Sequence, residues 1–94
     1  MTQQEKEEKL KAFLNGRDFM KLGQALNSKN WQIAMMTVRR MEQTVKELEI
    51  TAMERNLMQI RHAVLSQNTA EGLNGLTLLV AKRVQMLKSE KGMK

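Results

Sequence analysis

A chain of 94 residues with a net charge of +6, and no proline, cysteine or tyrosine, is one domain with room for one modest core. The missing cysteines exclude disulfides and thiolate metal sites, and no stretch alternates β-branched and polar residues as a sheet would need. Alanine, leucine, methionine, lysine, glutamate, glutamine and arginine dominate, and these residues lose little rotamer freedom in a helix.

The first helix is expected at about 3–14, opened by the capping-box spacing Thr2-x-x-Glu5 and carrying Leu10, Phe13 and Leu14. Asn15-Gly16 ends it, with glycine as the expected left-handed residue. Asp18 is the expected cap of a second helix, about 19–27, with Phe19, Met20, Leu22 and Leu26 as its apolar set. After the turn Asn27-Ser28-Lys29-Asn30, a third helix runs from Trp31 to about Leu48. Trp31, Ala34, Met35, Val38, Met41, Val45 and Leu48 recur on it at three- and four-residue steps.

A second capping-box spacing, Thr51-x-x-Glu54, places a break near Glu49-Ile50; one long helix over 31–66 is the alternative. The fourth helix, about 52–66, carries Met53, Leu57, Ile60 and Val64. Ser66-Gln67-Asn68-Thr69 is the next turn, with Asn68 or Thr69 as cap. The fifth, about 70–89, shows Leu73, Leu76, Val80, Val84 and Leu87, with Gly72 and Gly75 allowing close helix approach in its first turns. The pattern predicts an all-α protein: an antiparallel four-helix bundle with an additional short N-terminal helix. The expected single domain spans 1–94, with a lid helix at 1–16, the bundle at 17–89 and a basic tail at 90–94.

Met1 to Lys11 is polar, and the longest apolar run, Leu76 to Ala81, falls far short of the roughly 20 residues that span a bilayer. The expectation is a soluble, cytoplasmic protein. Residues 82–94 hold Lys82, Arg83, Lys88, Lys91 and Lys94 against Glu90 alone, a segment that fits either a solvated terminus or nonspecific contact with nucleic acid.

Asp18 is the one aspartate and His62 the one histidine, so no hydrolytic triad, carboxylate pair or His/Cys metal cluster is assembled. No glycine-rich phosphate loop is present. The expectation is a protein without catalytic activity, metal or cofactor. His62 lies roughly opposite the apolar stripe of its helix, on the solvent side. Met35, Met41 and Met53 fall on core stripes, while Ile33 and Met36 lie opposite Val38, exposed or covered by the N-terminal lid helix.

From Asn30 to Asn68 the chain resembles the histidine-containing phosphotransfer (HPt) domains of bacterial phosphorelays, which are four-helix bundles with an additional short helix. Val38-Arg39-Arg40-Met41-Glu42-Gln43 falls without a gap on that family's phosphoacceptor motif, Ala-His-x-Leu-Lys-Gly. Ser28-Lys29-Asn30-Trp31 stands where the family has a turn of the Gly-Asp type. Further on, Ile50, Met53, Leu57, Ile60 and Arg61 take the steps where the family places a Gly-Ala pair, Leu, a small residue and Leu-Glu.

The departures fall on the chemistry. Arg39 occupies the phosphoacceptor position, and a protonated guanidinium is no nucleophile. Glu42 replaces a lysine that would neutralise a phosphoryl group, and Gln43 fills the space a glycine leaves beside the imidazole. The resemblance therefore implies a docking scaffold without phosphotransfer, binding a receiver or histidine kinase domain through Met35, Arg39, Glu42, Gln43 and Lys46. An ordinary solvated edge made by Arg39, Glu42 and Lys46 is the plainer reading of those charges. The alternative function is a small basic module that binds nucleic acid nonspecifically through Lys82, Arg83, Lys88, Lys91 and Lys94.

Overall fold

A computed structural model describes the backbone of residues 2–92 and the side chains of residues 2–88. It contains α1 (Gln3–Leu14), α2 (Asp18–Asn27), α3 (Trp31–Glu47), α4 (Thr51–Leu65) and α5 (Thr69–Gly92), with no strand among the described residues. α2 packs on α3 and α5, and α4 packs on α3 and α5, which closes an antiparallel ring around one core. Leu22, Leu26, Val38, Met41, Val45, Met53, Leu57, Ile60 and Leu79 are fully buried there.

The three bundle turns share one construction. Lys29, Glu49 and Gln67 take positive φ values of 58°, 56° and 54°. In each turn the left-handed residue donates to the carbonyl three back, and the next residue to the carbonyl five back: Asn30 to Ala25, Ile50 to Val45, Asn68 to Ala63. This is the Schellman pattern, which satisfies the last carbonyls of each helix. The residue closing it is also the cap of the following helix. Asn30 Oδ1 accepts from Ile33 N at 3.3 Å and Asn68 Oδ1 from Glu71 N at 3.1 Å.

Several local expectations are corrected. Among the described residues the left-handed ones are those three, and Gly16 has no positive φ. Asp18 opens α2 as its first residue and makes no cap; its carboxylate accepts from Arg40 at 2.9 Å instead. Ile50, not Thr51, stands at the cap of α4, without a side-chain hydrogen bond, although the break near Glu49-Ile50 is where the spacing put it. Met20 and Val84 are exposed rather than in the core, and Trp31 is half-buried. Thr2 does cap α1, accepting from Glu5 N at 3.2 Å.

α1 crosses the end of the bundle at which α3 turns into α4. Phe13 and Leu14 are buried, Leu10 packs on the core, and Lys6 Nζ lies 3.3 Å from a Glu49 carboxylate oxygen. Gly72 and Gly75 bring α5 close to its neighbours: an added Cβ would lie 2.8 Å from a Leu26 methyl and 2.8 Å from Ile60 Cγ1. α5 continues through Gly92, so residues 90–92 are helical rather than part of a tail. Lys94 lies outside the described residues, as does the side chain of Lys91.

Candidate protein-docking groove

α3 has two flanks because the core takes only one stripe of it. The α2 flank carries Arg40, whose guanidinium is held by Asp18 at 2.9 Å. The α4 flank and the outer surface carry the residues on which the phosphotransfer resemblance falls. Arg39, Glu42, Gln43, Val45 and Lys46 of α3 line a groove of about 510 Å³ together with Glu54, Leu57, Met58 and Arg61 of α4.

The floor is apolar, since Val45 and Leu57 are fully buried and Met58 is 48% exposed. The rim is charged. Arg61 Nε lies 3.6 Å from Glu42 Oε1, a pair that bridges the two helices. The side chains of Arg39 and Lys46 are exposed and have no ion-pair or hydrogen-bond partner among the described residues. Among the described residues the groove thus presents two uncommitted cations, Arg39 and Lys46, and one uncommitted carboxylate, Glu54, beside the Glu42–Arg61 pair and a soft methionine, a net positive arrangement over an apolar floor.

Four of the five residues expected at the docking edge meet in this groove: Arg39, Glu42, Gln43 and Lys46. Met35, the fifth, is half-buried against the core and does not line it. The α4 wall was not anticipated. The signal for it was an outward Met58 three residues before Arg61, opposite the Glu42 that Arg61 pairs with.

Of the proposed basic surface, the side chains of Lys82, Arg83 and Lys88 are described, and two of these three are tied to backbone carbonyls. Arg83 Nε donates to the Leu14 carbonyl, and its guanidinium carbon lies 4.9 Å from the centre of the Phe19 ring. Lys82 Nζ donates to the Ala52 carbonyl. Both side chains are half-buried within the fold, and Lys88 is the described cation of that set that stays exposed. His62 is exposed on α4, as its position on the helix predicts. A second concavity, about 500 Å³ at the opposite end, is lined by Lys29, Trp31, Ser66, Gln67, Asn68 and Thr69. Among the described residues no three His, Cys, Asp or Glu side chains gather as a metal site would require, and no helix is long and apolar enough to cross a membrane. Compared with protein-family models, curated proteins and solved structures, the chain matches none.

Proposed function

We propose that this chain is a non-catalytic protein-binding bundle of the phosphorelay phosphotransfer type, without the acceptor histidine, and that it docks a receiver or histidine kinase domain through the α3/α4 groove. The observation that carries the reading is Arg39: it stands at the acceptor position of the resembling family, exposed and unpaired among the described residues, beside a groove with an apolar floor. A receiver domain presents an acidic phosphorylation pocket, and a guanidinium entering it would make charge-assisted hydrogen bonds without any transfer of phosphate. Glu42 supports the loss of chemistry, since a carboxylate stands where the resembling family has a lysine, and no cation is supplied at that position to neutralise a phosphoryl group.

The nucleic-acid alternative has less support, because Lys82 and Arg83 are engaged by backbone carbonyls of the fold, Arg83 at a part-buried position and Lys82 at the surface. The test is titration of purified receiver and kinase domains against the chain, with salt dependence and the Arg39→Glu variant. Binding that ignores Arg39 and scales with nucleic acid would overturn the proposal.

A further inference from the structure

α5 is the longest helix, with 24 residues, and its outward face differs from those of α3 and α4. Ala70, Asn74, Thr77, Leu78, Ala81, Val84, Gln85 and Lys88 are all exposed. Between Glu71 and Lys88 no exposed position on this helix is charged, because Lys82 and Arg83 turn inward to the Ala52 and Leu14 carbonyls. The exposed faces of α3 and α4, by contrast, carry Arg39, Arg40, Lys46 and Glu47, and Glu54 and Arg55. Leu78 is 51% and Val84 43% exposed, one on each side of Ala81.

We propose that this face of α5 joins two copies of the chain in an antiparallel, two-fold symmetric dimer centred on Ala81. The positions Thr77, Ala81, Val84 and Lys88 follow four- and three-residue steps, the spacing of a two-helix seam. With the axis at Ala81, the small side chains meet at the centre and allow close helix approach. Leu78 of each copy then faces Val84 of the other, and Thr77 faces Gln85. Such a contact is self-complementary, as a two-fold interface must be.

Charge selects the occupant. A chain of net charge +6 repels its own copy over most of its surface, and the α5 face is where that repulsion is weakest. At its two ends the charges are opposite. Lys88 of one copy comes beside Asn74 of the other, one turn from Glu71, and neither Glu71 nor Lys88 has an ion-pair partner among the described residues. The inference does not depend on the α3/α4 groove, which lies on other helices.

Sedimentation equilibrium of the full chain over a range of concentrations tests it. The expected result is a mass that doubles with concentration. Ala81→Arg should raise the dissociation constant roughly tenfold or more by placing two like charges at the axis, while the helical circular dichroism signal stays unchanged because position 81 is exposed, and melting loses its dependence on protein concentration. Glu71→Lys and Lys88→Glu should each weaken association, and the double variant should recover it. A chain that stays monomeric at every concentration, a dimer indifferent to Ala81→Arg, or charge variants whose combination recovers nothing would overturn the proposal. So would a dimer dispersed by Arg39→Glu, which would place the contact at the α3/α4 groove.

Discussion

Arg83 and Leu14 are joined across 69 positions of sequence: the Arg83 Nε donates to the Leu14 carbonyl, the last of α1. That carbonyl has no partner within its own helix, so α5 completes the end of α1. The same guanidinium covers the Phe19 ring, which packs against Phe13 with centroids 5.3 Å apart. One side chain therefore ties α1 and α2 to α5. Arg83→Ala is expected to lower stability by about 1–3 kcal/mol, from a charge-assisted hydrogen bond and a cation–π contact. Arg83→Lys should restore only part of that, because an ammonium lacks the planar fork. Urea denaturation followed by circular dichroism measures both, and a loss for Arg83→Ala within about 0.5 kcal/mol, as at an ordinary surface site, would show that α1 is held by its apolar contacts alone.

Two of the three left-handed turn residues predict a gain. Lys29 and Gln67 adopt positive φ with a full side chain, where glycine carries no Cβ penalty. Both are exposed, and among the described residues no side-chain hydrogen bond holds either. Lys29→Gly and Gln67→Gly should each stabilise the bundle by about 0.5–1 kcal/mol, and Gln67→Val should destabilise it, because a β-branched residue fits that conformation badly. Melting temperatures that fall for both glycine variants would contradict the turn geometry.

Asn56 predicts another. It is 4% exposed, and its Nδ2 has no hydrogen-bond partner among the described residues. Burying an unsatisfied amide costs roughly 1–3 kcal/mol, and leucine has a similar shape. Asn56→Leu is therefore expected to raise stability by about 1 kcal/mol. A drop in the chemical denaturation midpoint would instead assign the amide a partner in solution.

The apolar spacing made the bundle readable, because the three- and four-residue steps of Ala34, Val38, Met41 and Val45 have one helical solution. The turns were legible as positions but not as conformations. Asn15-Gly16 looked left-handed on composition, whereas the Schellman hydrogen bonds impose that state on Lys29, Glu49 and Gln67. Asp18 was misread as a cap because its partner, Arg40, is 22 positions away. Arg83 illustrates the same limit: a basic run suggests a solvated face, and only the tertiary structure shows the guanidinium turned toward Leu14. Of the candidate site, the α3 wall was legible through the phosphotransfer resemblance. The α4 wall was not, since Met58 and Arg61 acquire meaning only beside Glu42.

Phosphohistidine should not form. His62 is exposed on α4 and does not line the α3/α4 groove. Incubation with phosphorylated receivers or small phosphodonors is expected to leave no acid-labile label. Stable label on the chain that disappears in His62→Gln would identify an acceptor at a position the docking model leaves idle.

The last prediction concerns Arg39 and the wall facing it. If the groove docks a partner, Arg39→Glu should weaken binding by about 1–3 kcal/mol, since it removes a charge-assisted contact and brings like charges together at an acidic surface. Stability should change by less than about 0.5 kcal/mol, because Arg39 is exposed and has no partner to lose among the described residues. Met58→Glu, on the opposite wall, should weaken the same binding by placing a carboxylate over the apolar floor, again without unfolding a side chain that is 48% exposed. Lys91→Glu, in the basic C-terminal segment, supplies the control: it should leave docking intact and lower nonspecific retention on nucleic acid. Calorimetric titration of each variant against a verified partner separates the two readings. Equal affinity for wild type, Arg39→Glu and Met58→Glu, combined with a loss for Lys91→Glu, would move the binding surface from the groove between α3 and α4 to the end of α5.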